Sequence, residues 1–517
     1  MATEVTGEIV DTSTGRLTAA RLYIQDNAGN WFFPESTDAK GSAIPYKKQR
    51  PNSPSVEMHT TVSAHPFRVQ LPPGNYVFTV ERGKEYFTST NRVTIKGDRQ
   101  KIRLLVQRWI DMSKQGWYSG DTHLHRSGEE MANVLLAEDI NVGFPLHYWV
   151  TKAFEPPVGG DKSVGEKYGP NAVYVDRTHV FYPRNTEYEI FSVGGKPHTL
   201  GAVFVLNHKS VLSQGVPPVT PIAELARREG ALLELDKHNW EWSMAIVPVM
   251  GVDLFELSNN HIWRTEFAFG GWGVRGGDYM GMPPKGQALT ERQWIDYGFR
   301  NYYALLNCGF RMRPTGGTAN GVHPVPAGFG RVYVQVRGEF SYEAWLRGLD
   351  AGRSFVTTGP MLFVEVNRKS PGHIFSAEGL EPIQAAVTGK VASEFPVSKV
   401  ELVLNGDVVP VPLPATRKLA NGSYETEFRA SLRVDNSSWL AVRCFEPRGR
   451  RERFAHTGPF HFNVFGKPLR PKRAEVEFLI KRVQDEIDRS RTVVPSEALK
   501  EYEFALEVYR RIAATAR

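Results

Sequence analysis

The sequence predicts a multidomain protein that combines an α/β region with all-β regions and ends in helices. Three observations predict this class. The chain has 517 residues, which is more than one hydrophobic core usually organises. Short strand patterns bounded by turn residues fill residues 1–115 and 361–465, whereas strand and helix patterns alternate over 116–360. Residues 466–517 are highly charged and keep a helical spacing of apolar residues.

Residues 1–115 are predicted to form a small β-sandwich. Apolar segments such as 20–24, 67–71 and 76–80 are strand-like and are separated by turn-forming residues. Within one of them, Phe67, Val69 and Leu71 alternate with polar residues, which places all three on one face of a strand. Residues 36–64 are polar and rich in proline, and we expect a long loop there.

Residues 116–360 alternate between strand and helix patterns. Helices are predicted at 223–230, 292–307 and 341–351, and strands at 231–235, 251–257 and 331–336. This alternation favours a mainly parallel α/β barrel or sheet.

Residues 361–465 return to short strands, which predicts a second β-sandwich. A strand at 398–404 leads into the turn Asn405-Gly406, a strong hairpin signal. Beyond residue 465, two helices are predicted to form a hairpin docked on the body, with apolar residues at helical spacing: Val476, Leu479, Val483 and Ile487, then Leu499, Tyr502, Leu506 and Tyr509.

The overall composition excludes several classes of protein. Hydrophobic residues make up 41% and charged residues 23%, which is typical of a folded chain. The net charge of +7 is weak for this length, and no long basic stripe indicates nucleic-acid binding. The two cysteines, Cys308 and Cys444, lie in different predicted domains and are interpreted as buried thiols.

No run of 18 apolar residues predicts a membrane span, and the N-terminus lacks the apolar core of a signal peptide. The sequence therefore predicts a soluble chain. It is cytoplasmic as written, or periplasmic or secreted if it is a mature chain whose signal was removed. Oligomeric state is not readable from the sequence.

The strongest chemical signal is His123-Leu-His125, near the end of a predicted strand. Residues i and i+2 of a strand point the same way, so both imidazoles can bind one metal ion. Taken alone the pattern is weak, since two ordinary strand histidines fit equally well. The context adds weight, because nine of the 14 histidines lie between residues 116 and 330.

Further polar residues follow or interrupt predicted strands. His238 comes straight after the strand at 231–235, although Asp236 in the same segment would also serve as a helix cap. Glu256 interrupts an apolar strand, and buried acids need partners. The remaining candidates are also consistent with a solvated edge strand or a plain turn: Glu187 with Glu189, His198, and Asn320 with His323.

The segment Trp117-Tyr-Ser-Gly-Asp-Thr-His-Leu-His125 resembles the opening of the CehA/McbA-type metallohydrolases of the polymerase-and-histidinol-phosphatase (PHP) superfamily. The resemblance continues through residues 328–334, 351–360 and 367–372. It implies a distorted, TIM-like (β/α)7 barrel over 116–360, flanked by β-sandwiches at 1–115 and 361–465, with a helical extension at 466–517. It also implies these metal ligands: His123, His125, Glu187 with Glu189 as fallback, His198 and His238.

The sequence departs from the family pattern in two places. Thr318-Ala-Asn320 stands where the superfamily has Asp-x-His, and Asn320 is a poorer ligand than aspartate. An Asp-His pair expected after the second strand is also missing, with His147 as its only candidate. We therefore expect one or two divalent ions, of zinc, manganese or iron, instead of three.

The predicted function is metal-dependent hydrolysis of an ester or carbamate-type bond by an activated water molecule. The alternatives are a PHP-type phosphoesterase, and a non-catalytic protein that binds carbohydrate or protein and keeps a degenerate metal site. The substrate would be a small or carbohydrate-like molecule. The predicted catalytic residues are His261 and His323, as proton donors, with Arg126 and Lys237; the predicted substrate-binding residues are Arg331, Trp240, Asn259 and Glu256.

Overall fold

The computed structural model describes residues 2–164, 168–264, 267–270, 276–284, 287–377, 379, 381–412 and 416–517, and the elements below lie within these ranges. They form a multi-sheet α/β protein with seven α-helices among the described residues. Within the same ranges, none of the helices is both long and apolar enough to cross a membrane.

The N-terminal region contains two sheets that share one hydrophobic core. Its strands are β1 (Thr3–Asp11), β2 (Ala20–Asp26), β3 (Trp31–Phe32), β4 (Glu35–Ser36), β5 (Ala43–Gln49), β6 (Val56–Val62), β7 (Phe67–Leu71), β8 (Gly74–Glu81), β9 (Tyr86–Phe87), β10 (Ser89–Ile95) and β11 (Arg99–Arg108). One sheet has the order β4-β7-β1-β11-β9 and the other β10-β8-β2-β6-β5. Phe67, Val69 and Leu71 all face the shared core, as their alternation predicts.

The prediction of a long loop over residues 36–64 is wrong. Strands β5 and β6 form an antiparallel hairpin there, at the edge of the second sheet. This hairpin is polar because it packs against polar groups of the central region. Tyr46 donates a hydrogen bond to the carbonyl of His323, and Asn133 donates to the carbonyl of Thr61 at 2.9 Å.

The central region alternates strands with helices, as its sequence pattern predicts. The elements are β12 (Trp117–Leu124), α1 (Gly128–Glu138), β13 (Val142–Pro145), β14 (Tyr148–Lys152), β15 (Val173–Tyr174), β16 (Val180–Phe181), β17 (Thr186–Val193), β18 (Lys196–Pro197), β19 (Ala202–Leu206), α2 (Thr220–Glu229), β20 (Leu232–Leu235), α3 (Glu241–Met250), β21 (Leu254–Ser258), α4 (Glu291–Asn307), β22 (Arg313–Gly316), β23 (Arg331–Gln335), α5 (Tyr342–Asp350) and β24 (Ser354–Thr357).

The strands of this region are mixed in direction, so the expectation of a mainly parallel sheet is wrong. One sheet has the order β14-β17-β19-β20-β21-β22, in which β19 runs antiparallel to both of its neighbours. In the other, β12 is parallel to β13 but antiparallel to β23. Tight turns without a helix join β17 to β19, which allows the antiparallel pairing.

The two central sheets meet at the end of β12. The backbone N–H of His125 donates to the carbonyl of Asn320 at 2.7 Å, and Thr318 N–H lies 3.4 Å from the carbonyl of His123. Gly317 N–H in turn donates to the carbonyl of Ser258 at 3.0 Å. The ends of β12, β21 and β22 are therefore held together, and the side chains that follow them share one space.

The remaining strands form a second β-rich region, followed by two helices. The elements are β25 (Met361–Val366), β26 (Ile374–Ala377), β27 (Ile383–Ser393), β28 (Lys399–Leu404), β29 (Asp407–Val411), β30 (Arg417–Lys418), β31 (Tyr424–Val434), β32 (Ser438–Arg448), β33 (Arg451–Thr457), β34 (Phe460–Val464), α6 (Arg473–Ser490) and α7 (Ser496–Ala513). The sheet β25-β27-β31-β30 shares a core with β28 and β32. Strand β33 also pairs with β24, so one sheet runs across residue 360.

The C-terminal helices form the predicted hairpin and complete the largest core. Helices α6 and α7 pack on each other and on α3. Val476, Leu479, Tyr502 and Tyr509 are buried in the same cluster as Trp242 of α3. The hairpin covers the outer side of the segment between β20 and α3, which carries several of the candidate site residues.

Candidate metal centre

His123 and His125 lie at the end of β12 with their side chains on the same side. Their Nε2 atoms are 3.2 Å apart, and their side chains are 1% and 8% exposed. The backbone hydrogen bond from His125 to Asn320 fixes the strand end from which both rings project. His125 also packs against the indole of Trp149, at 4.2 Å between ring centroids.

Glu187, from the start of β17, faces both imidazoles. Its Oε2 is 3.3 Å from Nε2 of His125, and its Oε1 is 4.0 Å from Nε2 of His123. The carboxylate is buried, and Oε2 has no hydrogen-bond partner among the described residues. Three donors therefore converge on one point in the interior.

The spacing of these donors fits one metal ion. Bonds of 2.0–2.2 Å at tetrahedral angles separate neighbouring donor atoms by about 3.4 Å. The observed separations of 3.2, 3.3 and 4.0 Å lie close to that spacing. A tetrahedral ion held by three protein donors would have one further position for a water molecule, as in catalytic zinc sites.

Burial dominates the electrostatics of the three groups. Burial lowers the pKa of His125 to about 3 and lowers the pKa of His123 well below its usual value. Burial and the neighbouring Glu189 raise the pKa of Glu187 well above its usual value. Neutral imidazoles are the form that binds a divalent ion, and an ion bound beside Glu187 would favour its deprotonated form.

Glu256, from β21, lies on the other side of His123. Its Oε1 and Oε2 are 3.2 and 3.3 Å from the Nδ1 atom of that ring. The prediction placed Glu256 against a substrate, but its side chain is fully buried behind the histidine. Burial and Asp236 raise the pKa of Glu256 well above its usual value. In its ionised form, Glu256 would keep the proton of His123 on Nδ1 and leave Nε2 available as a ligand.

Asp236 and Lys237 extend this network. Asp236 follows β20, shares a hydrogen bond with Glu256, and forms an ion pair with Lys237. The ammonium group of Lys237 also lies 3.8 Å from Glu189. Among the described residues, His123, Asp236 and Glu256 form a second group with metal-ligand spacing. Lys237 already supplies a positive charge to that group.

Two more buried acids lie within β20 and β12, and the sequence analysis predicted neither. Glu234 accepts hydrogen bonds from Thr122 and Thr315 at 2.8 and 2.5 Å, and burial raises its pKa to about 8. Asp121 accepts from Thr318 at 2.6 Å, and burial raises its pKa to about 6. The sequence pattern that could have identified Glu234 is an acid inside an apolar strand, as for Glu256. In the segment of β20, Glu234 and Asp236 alternate with leucines.

The structure does not bring His198, His238 or Asn320 to the centre as ligands. His198 lies beyond the end of β17 opposite to Glu187, with Nε2 3.0 Å from the hydroxyl of Ser490. The ring of His238 lies among Phe255, Trp294 and Tyr297.

Both side-chain amide atoms of Asn320 form hydrogen bonds with other protein groups. Its Oδ1 accepts from Nε of Arg126 at 2.7 Å, and its Nδ2 donates to the carbonyl of Val325 at 2.7 Å. Asn320 and Arg126 therefore hold the loop after β22, and neither amide atom is directed to a metal. The ring of Tyr46 packs on the guanidinium of Arg126.

The predicted proton donors are both present near the centre but are neutral. His261 is fully buried and stacks on Phe269 at 4.2 Å. His323 is half-buried, and burial together with Lys237 and Arg50 lowers its pKa to about 3. Burial likewise lowers the pKa of His261 well below its usual value. Both shifts disfavour the doubly protonated imidazolium form, so a role for His261 or His323 as proton donor stays a prediction.

Three predicted substrate-binding residues have structural contacts instead. Arg331 donates to the backbone carbonyls of Gly328, Glu138 and Asp139 at 2.7, 3.0 and 3.1 Å. Trp240 is buried, and its carbonyl accepts from Arg482. Asn259 is buried, with its Nδ2 3.4 Å from Nε2 of His238.

No protein-family model matches the chain, and no curated protein matches it either. What can be inferred about its function therefore comes from its residues and from the geometry described above.

Proposed function

We propose that this protein is a metal-dependent hydrolase in which His123, His125 and Glu187 hold one divalent ion. The observation that carries the proposal is the convergence of these three buried donors, at 3.2–4.0 Å from one another. The donor set of two imidazoles and a carboxylate suits zinc, manganese or iron. We propose one ion, since the charge of Lys237 already neutralises the second acidic group.

As part of the same proposal, we relate the chain to the CehA/McbA-type metallohydrolases, which residues 117–125 resemble. We also propose a distorted (β/α)7 barrel for the central region. The hydrogen bonds from residues 317–320 to β12 and to Ser258 support it, because they join the two central sheets at the ends of their strands. The candidate ligands lie at those ends, where the active sites of barrel enzymes are found.

The chain's own residues would prepare the centre for this chemistry. Glu256 orients His123 through Nδ1, so that Nε2 faces Glu187 and His125. Burial keeps both imidazoles neutral, so no proton has to be displaced from them when the ion binds. A divalent ion held there would lower the pKa of a water molecule towards about 7 and polarise the bond that is attacked.

We first propose an ester or carbamate as the substrate class, because the resemblance to the CehA/McbA-type enzymes implies it. A second candidate, a phosphoester, is favoured by Arg50 at the end of the β5–β6 hairpin. Its guanidinium stacks on Phe269 at 3.8 Å, beside His323, and no carboxylate among the described residues pairs with it. An unpaired guanidinium beside the centre would attract an anionic substrate.

The decisive test is the metal content of the purified protein, measured by mass spectrometry. We expect about one equivalent in the wild type and at most a tenth of that in His123→Ala, His125→Ala and Glu187→Gln, by analogy with other sites that lose a direct ligand. His198→Ala is the matched control, because it also removes a histidine but should leave the metal content unchanged. No metal in the wild type after reconstitution, or equal metal in all variants, would refute the proposed centre.

The reaction class is tested with the metal-loaded protein on p-nitrophenyl acetate, an aryl carbamate and p-nitrophenyl phosphate. Hydrolysis of one of them, lost in Glu187→Gln and kept in His198→Ala, supports the hydrolase and identifies the bond. If the metal is present but none of the three is hydrolysed, a binding protein with a metal site becomes the better explanation.

A further inference from the structure

A cavity of about 300 Å³ lies where three parts of the chain meet, apart from the candidate metal centre. It is lined by the segment between β8 and β9, by residues 326–331, and by residues of the second β-rich region around the β32–β33 turn. None of the three proposed metal ligands lines it. Its volume is at the lower end of the range for small-molecule sites, about 300–1,000 Å³.

The lining of this cavity is strongly basic. Seven of its side chains are arginine or lysine and three are glutamate. The glutamates are already paired. Arg21 binds Glu81 and Glu138 at 2.5 and 2.8 Å, and Arg448 binds Glu394 at 3.0 Å. Acids behind the lining pair with further arginines: Glu446 with Arg448, and Glu291 with Arg451 and Arg453.

Lys84 differs from these arginines, because its contacts are with a carbonyl group and an aromatic ring. Its ammonium group donates to the carbonyl of Thr358 at 2.8 Å and lies 4.3 Å over the ring of Phe329. Among the described residues, no carboxylate lies within ion-pair distance of it. Arg331, also in the lining, contacts backbone carbonyls instead of carboxylates. An ammonium group so placed, facing a cavity, needs negative charge from elsewhere.

The neighbouring cations act against one another. Burial lowers the pKa of Lys84 well below its usual value, and the guanidiniums of Arg453, Arg331 and Arg448 lower it further, while Glu394 acts in the opposite direction. Burial also lowers the pKa of Arg453 to about 10, despite its ion pair with Glu291. The folded protein holds these charges together at a cost that a bound anion would offset.

We propose that this cavity is a binding site for a small molecule with at least two negative charges, carried on phosphate or carboxylate groups. Lys84 would contact the anion directly. Arg448 and Arg451 line the same cavity, are 30% and 19% exposed, and add to the positive potential around Lys84. Guanidinium and ammonium groups together are the usual partners of phosphate and carboxylate.

The site is separate from the metal chemistry but adjoins it through two segments. Arg264 of the lining follows His261 by three residues, and Gly328 of the lining donates its N–H to Asp121 at 2.8 Å. The proposal does not depend on the hydrolase assignment. Binding can be measured in His125→Ala, which lacks a proposed metal ligand, so the two proposals fail or succeed independently.

The test uses the full-length protein at fixed ionic strength, with pyrophosphate and citrate as the two probes and acetate as the singly charged comparison. Isothermal titration should show saturable binding of at least one probe, and that probe should raise the melting temperature. Binding of pyrophosphate alone indicates a phosphate ligand, and binding of citrate alone a carboxylate ligand. The same binding should persist in His125→Ala, which excludes chelation of the metal as its cause.

Lys84→Met should weaken binding of the active probe at least tenfold, whereas Lys101→Met, at an exposed lysine of β11, should leave it unchanged. A second readout does not need a ligand. Removing the unpaired charge should leave the melting temperature of Lys84→Met equal to or above that of the wild type. Failure of both probes to bind, or equal binding to the wild type and Lys84→Met, would overturn the proposal.

Discussion

Glu256 Oε1 lies 3.2 Å from Nδ1 of His123, while Nε2 of the same ring lies 3.2 Å from Nε2 of His125. The two nitrogens of His123 therefore have separate tasks. With the proton on Nδ1, directed at Glu256, the lone pair of Nε2 would be available to the proposed metal ion. Such a carboxylate fixes both the tautomer and the orientation of a ligating histidine.

Glu256→Gln should weaken metal affinity by about 10–100-fold without abolishing it, the usual effect of changing a partner of a ligating histidine. Glutamine keeps an acceptor for Nδ1–H but loses the negative charge. Affinity is measured by competition with a chelator of known strength. Glu8→Gln, an exposed position of β1, is the control. Equal affinities in Glu256→Gln and the wild type would show that Glu256 does not orient the ligand.

Asn320→Asp tests whether the departure from the family pattern removed a second metal ion. In the structure both amide atoms are used, by Arg126 and by the carbonyl of Val325. Aspartate would still accept from Arg126 but could not donate to Val325. We therefore expect the metal content to stay at one equivalent and the melting temperature to fall. A rise to two equivalents would show that residue 320 stands at a ligand position.

The sequence predicted candidate metal ligands best where they follow the two-residue periodicity of a strand. His123 and His125 are two residues apart on β12, and the structure places both rings on one side, as predicted. Glu187 was predicted by the resemblance and lies opposite them. Asp236 was interpreted as a possible helix cap. Glu234 and Asp236 flank Leu235, and this alternation could have identified Asp236 as a buried acid in the same interior.

The predictions failed where the outcome depends on contacts between distant segments. His238 follows a strand end just as a ligand would, but its ring turns towards Trp294 and Tyr297 of α4. The residues next to His238 in the sequence do not indicate that α4 packs against its ring. The β5–β6 hairpin appears polar and loop-like for a similar reason, because its partners belong to the central region.

His179 should make the stability of the protein depend on pH. It is buried between Asp176, at 2.9 Å, and Asp139, at 3.6 Å, and Asp139 also pairs with Arg82 and Arg108. Burial lowers the pKa of His179, but hydrogen bonds to and attraction by both carboxylates raise it to about 9. The folded state therefore binds a proton more tightly than the unfolded chain, whose histidines titrate near 6.5.

Because the folded pKa is raised, this contribution is fully present below about pH 6.5 and is lost as pH rises through about 9. Its upper limit is about 3 kcal/mol. We expect the melting temperature to fall between pH 6.5 and 9 in the wild type and to change less in His179→Gln. His65→Gln, at a half-buried histidine of the N-terminal region, should behave as the wild type. Parallel curves for His179→Gln and the wild type would exclude His179 as the source.

Arg482 of α6 should prove important for the segment that carries Asp236 and Lys237. It is buried, and it donates to the carbonyls of His238, at 2.8 Å, and of Trp240. Arg482→Met would leave both carbonyls without these donors and should cost about 2–4 kcal/mol, since hydrogen bonds from charged groups contribute about 1.5–3 kcal/mol each. Thermal unfolding followed by circular dichroism measures the loss.

Arg511→Met, at an exposed position of α7 whose nearest carboxylate is 3.9 Å away, is the matched control and should change stability little. Arg482→Lys should fall between the two, because lysine keeps the charge but cannot donate to both carbonyls in the same geometry. If Arg482→Met unfolds at the same temperature as Arg511→Met, the helical hairpin does not hold this segment through Arg482.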